Sequence, residues 1–304
     1  MRSLRYFVLA GPTAVGKTGL AIKIATELQT EIVSCDAYQI YSGLDLLTAK
    51  PSRCYLDAVR HHLIGILPLT DRCDACLYAQ LSRKIISDLN ARGIIPLVVA
   101  GTGFYLQALG GALPDLPAAD LELRRNLDLL PTSRLLQDLE IRDPIASGRI
   151  DRNNRRRIIR ALEVCILSGK PYSASLTGRP TDPPISGVTF IRGRSELNER
   201  IDRRVEEMFD RGVVEEVAAV ESVGSTASKA IGFQLIQALL AGTMDTNACK
   251  DQIKHQTHNY AKRQMTWFRK MTYEIITPNT SLSNVIQTLL RPRKEALEAG
   301  GRHT

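Results

Sequence analysis

Short apolar runs alternate with longer stretches of helical spacing along the first hundred residues. Residues 6–10 (YFVLA) are wholly apolar and fit a buried strand. Over residues 17–28, Leu20, Ile24 and Leu28 recur on one face, which predicts an amphipathic helix. Residues 31–36 (EIVSCD) predict a second strand that ends in a carboxylate. A helical pattern follows over residues 78–91, closed by Gly93. Residues 94–103 (IIPLVVAGTG) predict a third buried strand with a glycine-rich exit. Strand, helix, strand, helix, strand predicts an α/β fold: a parallel sheet flanked by helices and joined by right-handed crossovers.

The pattern changes at Leu113. The stretch LPDLPAAD reads as a Pro-rich hinge, and residues 121–160 are helical, charged and rich in arginine. A second loose segment, TGRPTDPPISG at residues 177–187, closes this block. The expected organisation is a core from residues 1–112 and 187–304 with a helical insertion at 113–186. The return to the sheet is expected at residues 188–192 (VTFIR). Long helical patterns then run to about Tyr273, with EIIT as a last strand and a polar tail beyond Arg291.

Composition narrows the partners. The chain of 304 residues carries a net charge of +8 and a pI near 9.3, which suits a polyanion such as nucleic acid. Its six cysteines are scattered and do not form a disulfide framework. Cys73 and Cys76 have C-x-x-C spacing, but no second pair follows for a zinc site, so they read as incidental. No run approaches the ~20 apolar residues of a membrane span. The opening MRSLRYFVLAG has too short an apolar run for a signal peptide and leads directly into a glycine loop. A cytoplasmic protein without membrane contact is expected.

That loop carries the strongest chemistry. Gly11, Pro12, Thr13, Ala14, Val15, Gly16, Lys17 and Thr18 fit the G-x4-G-K-T pattern of ATP-binding P-loops, between a strand and a helix. Backbone N–H groups and the helix N-terminus surround a phosphate, Lys17 adds a point charge, and the Thr18 hydroxyl is a ligand for Mg²⁺. The pattern specifies a nucleotide or another phosphoanhydride, not ATP itself. The strand at 94–100 ends in Ala100-Gly101-Thr102 without the second carboxylate of an NTPase. Asp36, at the end of the second strand, faces the same ligand zone and reads as a general base or metal ligand.

Taken in order, these motifs resemble those of the bacterial tRNA dimethylallyltransferases, also called tRNA isopentenyltransferases. GPTAVGKT is similar to the family's opening. SCDAYQIYSGLDLLTAKP at residues 34–51 resembles S-x-D-S-x-x-I-Y-x-G-x-D-x-G-T-A-K-P. HHLIGIL at His61, AGTGFYLQAL at Ala100, DPIASGRIDRNNRRRIIRALEV at residues 143–164, RIDRRVEEMFDRGVVEEV, ASKAIGFQ and THNYAKRQMTWFR at residues 257–269 resemble later family segments. The likeness spans nearly the whole chain.

The resemblance implies a P-loop NTPase-like fold with an inserted all-helical tRNA-binding module, acting as a monomer. It implies that the cradled phosphate belongs to dimethylallyl diphosphate, with Mg²⁺ as cofactor. The acceptor would be the N6 amine of the adenosine just 3′ of the anticodon, presented by the tRNA anticodon stem-loop and swung out of its stack. Asp36 is then the base, with Lys17 stabilising the leaving group and Thr102 placing the substrates. The tRNA contacts implied are Asp36, Ala37, Tyr38, Gln39 and Thr102 beside the base, and Arg124, Arg156, Arg157, Ile158, Ile159 and Arg160 in the insertion. Tyr41 and Tyr105 read equally as prenyl walls or core, and Gln264, Trp267 and Phe268 equally as core or RNA contacts. The five arginines from Arg152 to Arg160 would repel one another without a polyanion.

The chain departs from the family pattern at Ala37, Leu47, Ala100, Asp151-Arg152, Asn154 and His258. These changes bear on affinity and substrate range more than on reaction type. A small-molecule P-loop kinase, prenylation of free adenine nucleotides, and a non-catalytic RNA-binding protein are the competing readings.

Overall fold

The computed structural model describes residues 4–111, 116–175 and 184–291. Six strands form one sheet in which every pairing is parallel: β1 (Phe7–Ala10), β2 (Ile32–Cys35), β3 (His61–His62), β4 (Leu97–Ala100), β5 (Ser186–Phe190) and β6 (Glu274–Ile276), in the order β3-β2-β4-β1-β5-β6. The central strands are covered on both faces, which is why β1 and β2 read as continuous apolar runs instead of alternating ones. Val8 pairs with Val98 on one side and Gly187 on the other, so β1 lies at the centre of the sheet. The chain leaves β1 toward β2 on one side and later reaches β5 on the other. This makes the carboxyl ends of β1, β2 and β4 the topological switch point, where such sheets bind ligands.

Thirteen helices accompany the sheet among the described residues. Those of the first half are α1 (Lys17–Glu27), α2 (Arg53–Ala58), α3 (Ala75–Ala91) and α4 (Gly103–Leu109). Then come α5 (Leu121–Asp128), α6 (Thr132–Arg142), α7 (Pro144–Arg149) and α8 (Arg155–Ser168). The last are α9 (Arg194–Asp210), α10 (Val213–Ala218), α11 (Phe233–Leu240), α12 (Thr246–Phe268) and α13 (Leu282–Leu290). α3 starts three residues before the expected position, because the Asp74 carboxylate accepts from the N–H groups of Cys76 and Leu77 and caps the helix there. Cys73 is therefore buried and Cys76 exposed, and no cluster of metal-ligating side chains exists among the described residues. No helix among the described residues is long and apolar enough to cross a membrane.

The chain divides into two compact units, Met1–Gly110 with Asp182–Thr304, and Gly111–Thr181. β5 begins at Ser186, inside the segment that the sequence assigned to the insertion, because Ser186 already pairs with Phe7. Most of the two expected loose segments lies outside the described residues. Among its described residues the helical unit has four α-helices, which break up the helical stretch expected over residues 121–160. Asp143 accepts from Ala146 and from Ser173, and it precedes Pro144, so it ends α6 and starts α7. Asn154 caps α8 by accepting from the Arg157 N–H. Leu135, Leu139, Ile158, Ala161 and Leu162 form that unit's own core. In the other unit one apolar cluster packs about the sheet and α1, and a second joins α9, α10, α11 and α12.

Candidate active site

The phosphate loop takes its shape from backbone conformations that few sequences allow. Gly11 has φ of 158°, and a Cβ there would stand 2.5 Å from the Phe190 carbonyl oxygen of β5. Ala14 (φ 60°) and Gly16 (φ 100°) adopt left-handed geometry, and Gly16 serves as N-cap of α1. Successive N–H groups in such a turn form an anion-binding concavity at a helix N-terminus.

Three arginines hold this loop. Arg192 Nε donates to the Val15 carbonyl at 2.7 Å, and Arg200 Nε donates to the Ala14 carbonyl at 2.7 Å. Arg204 Nη1 donates to Thr13 Oγ1 at 3.0 Å. Arg192 also pairs with Glu196. Lys17 Nζ donates to the carbonyls of Gly11 (2.8 Å) and Pro12 (2.6 Å), so it bridges the start of the loop. Burial pushes the Lys17 ammonium down to about 8, against the raising effect of the Asp36 charge, and Arg204 lowers it further. Burial also lowers Arg204, with Asp36 acting the other way.

Asp36 closes β2. Its Oδ1 accepts from the N–H groups of Tyr38 (2.9 Å) and Gln39 (3.3 Å), which fixes the carboxylate at the turn. Its Oδ2 faces Gly101, where a Cβ would lie 3.0 Å away, so the glycine leaves room for the acid. Thr102 precedes α4 and its Oγ1 accepts from the Ala37 N–H at 3.2 Å, tying the exits of β2 and β4 together. The Tyr260 hydroxyl is hydrogen-bonded to Thr102, and burial, then the Asp36 charge, pushes this phenol up. Gln264 bridges the same region: its Oε1 accepts from the Thr13 N–H at 2.9 Å, and its Nε2 donates to the Gly101 carbonyl at 2.5 Å.

Two chambers meet at Asp36. One is lined by loop residues including Lys17 and Thr18, with Asp36, Gln39, His61 and Arg200. The other is walled in part by the apolar side chains of Leu47, Ile201, Val205, Met208 and Ile253. Thr13, Asp36, Thr48, Arg204 and Tyr260 border both. The loop that supplies Leu47 is held by Glu216, whose carboxylate accepts from the N–H groups of Leu46 (2.8 Å) and Leu47 (2.9 Å).

The structure brings the whole Gly11–Thr18 loop, Asp36, Ala37, Tyr38, Gln39 and Thr102 to one place. Other expectations need correction. Gln39 is not a free base reader: its amide donates to the carbonyls of Thr48 (3.3 Å) and Ala49 (3.0 Å) and accepts from Ser34. Tyr41 and Tyr105 are core, with Tyr41 Oη accepting from the Cys73 N–H and Tyr105 Oη donating to the Cys73 carbonyl. Ile158 and Ile159 are buried in the core of the helical unit and present nothing to RNA. Arg124 and Arg160 both bind Glu163, which is fully buried. Arg155 donates to the carbonyls of Leu127, Asp128 and Leu130. The arginine block is therefore partly neutralised from within, and only Arg152, Arg156 and Arg157 of the five are exposed. Sequence reasoning missed Arg192, Arg200, Arg204, Tyr260 and the apolar chamber. The i,i+4 spacing of Arg200 and Arg204, interleaved with Ile201, Val205 and Met208, was the available signal.

Comparison with known proteins places this geometry. A family model described as IPP transferase matches residues 39–271. A tRNA dimethylallyltransferase of Citrifermentans bemidjiense is 41% identical over 276 residues, 88% of this chain and 90% of that protein. The crystal structure of a tRNA isopentenylpyrophosphate transferase from Bacillus halodurans matches with a TM-score of 0.65 and 31% identity, over 93% of each chain. A eukaryotic dimethylallyltransferase, crystallised acting on tRNA, has the same fold with a TM-score of 0.78 at 24% identity, over 94% of this chain and 76% of that one.

Proposed function

This chain belongs to the IPP transferase family, and on that premise we propose that it transfers a dimethylallyl group from dimethylallyl diphosphate to the N6 amine of an adenosine in tRNA. The acceptor we assign is the adenosine just 3′ of the anticodon. The observation that carries this reading is the position of Asp36, where a cationic chamber meets an apolar one. A donor with a charged head and a five-carbon apolar tail needs both chambers, and its reacting carbon belongs at their junction.

The chemistry follows from what each side chain offers. The diphosphate lies on the loop N–H groups with Lys17 and Arg204, which stabilise the negative charge gained as the allylic C–O bond breaks. The amine nitrogen forms the new C–N bond, and Asp36 accepts the proton that this nitrogen releases. Diphosphate is the leaving group. Leu47, Ile201, Val205, Met208, Ala230, Ile231 and Ile253 form an apolar wall for the tail, which limits water at the allylic carbon as positive charge develops. Thr18, at the start of α1 in the cationic chamber, supplies a hard oxygen ligand of the kind Mg²⁺ accepts. No carboxylate cluster lies beside it among the described residues, which fits an ion held mainly by diphosphate and water. When bound, Mg²⁺ neutralises diphosphate charge. On this reading the protein is a cytoplasmic enzyme acting as a monomer.

The test is incubation with Mg²⁺, labelled dimethylallyl diphosphate and an anticodon stem-loop RNA, with Asp36→Ala in parallel. Label enters the RNA, and the variant loses at least ~10²-fold in rate, as removal of a general base does. Label entering free AMP or ADP and not the RNA overturns the acceptor. Consumption of ATP with neither acceptor labelled overturns the donor.

A further inference from the structure

Leu47, Val205, Met208 and Ile253 line the apolar chamber and take no part in the cationic one. All four are buried, and they belong to one packed cluster with Val213, Val217 and Phe233. A tail that reaches them from the junction at Asp36 has packed core ahead of it. Leu47 is the least yielding of the four. A Cβ on Gly232 would stand 3.0 Å from its Cδ1 and 3.2 Å from the Ile253 Cδ1, so the leucine tip is packed against main chain. Its own backbone is fixed as well. The Glu216 carboxylate accepts from the N–H groups of Leu46 and Leu47. Thr48 Oγ1 donates to the Leu44 carbonyl at 2.7 Å, and Lys50 Nζ donates to the Gly43 carbonyl at 2.7 Å. A side chain held at both its root and its tip does not re-pack around a larger ligand without strain. Met208, unbranched and adaptable, has no such restraint.

Resting on the donor reading above, we propose that Leu47 is a specificity-determining residue, which limits the donor tail to the five carbons of a dimethylallyl group and excludes longer allylic diphosphates such as geranyl diphosphate. The head group does not discriminate among these donors, because each presents the same diphosphate to the loop. The bonds made and broken are also the same. The allylic C–O bond breaks, the amine nitrogen forms the C–N bond, Asp36 takes its proton and diphosphate leaves. The donors differ at the far end of the tail, and that end meets Leu47.

The test compares labelled dimethylallyl and geranyl diphosphates as donors to one anticodon stem-loop RNA, with kcat/KM for both measured on the same preparation. The ratio of the two values does not depend on the folded fraction of a variant. Wild-type protein is expected to favour the dimethylallyl donor by at least ~10²-fold. Leu47→Ala lowers this preference at least ~10-fold. Adding Met208→Ala lowers it further, because the two truncations together remove about as many heavy atoms as one isoprene unit contains. Leu47→Val, a milder truncation, moves the ratio the same way by less, and reads the proposal where the alanine variant does not fold. Wild-type transfer from both donors at similar rates overturns the proposal, as does a preference that survives every one of these truncations. Transfer from neither donor overturns the donor reading and the proposal together.

Discussion

Two helices of this protein are dense in arginine, α8 in the helical unit and α9 in the sheet unit, and they put that charge to opposite uses. On α8 the acidic partner is already present. Glu163 is fully buried and accepts from Arg124 at 2.9 and 2.8 Å, from Arg160 at 2.5 Å and from the Asp120 N–H at 2.8 Å. Arg155 is occupied by carbonyl oxygens between α5 and α6. On α9, Arg200 and Arg204 reach the phosphate loop, and among the described residues Asp36 is the carboxylate whose charge acts on both Lys17 and Arg204. Cations gathered with too little acid are an incomplete site that an anion completes. Runs of arginine in a sequence do not separate these cases; the location of the countercharge does.

The sharpest way to break the comparison is at Arg204. Arg204→Ala removes a charge that stabilises the departing diphosphate, and kcat is expected to fall by ~10²–10³, the scale for deleting one such donor. Arg204→Lys should recover only part of this, because an ammonium does not reproduce the guanidinium's hydrogen bond to Thr13 Oγ1 together with its reach into the site. Thermal stability should change little. Steady-state rates at saturating donor and RNA decide it: a variant within tenfold of wild type would mean that Arg204 holds the loop and nothing more.

The counterpart is Glu163→Ala. Here the expected loss is stability, about 3–5 kcal/mol, as when one member of a buried ion pair is removed. It should appear as faster amide hydrogen exchange across α5 to α8. Burial alone would raise the Glu163 carboxyl, but the hydrogen bonds from Arg124, Arg160 and the Asp120 N–H outweigh it and hold it below the ordinary range. Its folded-state pKa is thus lower than its unfolded one. The contribution is present at neutral pH and is lost as pH falls below the carboxylate range. Exchange in α5–α8 unchanged by the substitution would show that the unit does not depend on this pair.

Much of the site was legible because the sequence carries it in contiguous pieces. The G-x4-G-K-T loop, Asp36 and Thr102 are each announced by an apolar strand that ends in a reactive residue. The apolar chamber was not, since Leu47, Val205, Met208 and Ile253 come from distant segments and each looks like ordinary core. β3 was missed because two half-buried histidines carry no periodicity. The four-way division of the helical unit was written in Pro131, in Asp143-Pro144 and in Asn154, the N-cap of α8, but helical spacing continues across all three and hides the breaks. Ile158 and Ile159 were misassigned for a different reason. Neighbours in a motif were treated as neighbours on a surface, whereas in RRRIIRALEV the isoleucines share a face with Ala161, Leu162 and Cys165.

That same face rule leaves Arg156 and Arg157 as exposed charges of α8, outside the ion pairs that Arg155 and Arg160 make. If they meet RNA, they meet its phosphates, which supply affinity without sequence preference. Arg156→Ala and Arg157→Ala should each weaken anticodon stem-loop binding a few-fold and leave kcat unchanged. Each should also flatten the dependence of log affinity on log salt by about 1, as expected when one fewer phosphate is neutralised. Arg155→Ala is the control from the same turn of helix: its guanidinium is held by carbonyls, so its substitution should lower stability and leave the salt slope unchanged. Binding titrations at several salt concentrations separate the two behaviours. An Arg155 variant that changes the slope as much as an Arg156 variant would dissolve the distinction drawn between the exposed and the engaged arginines of this helix.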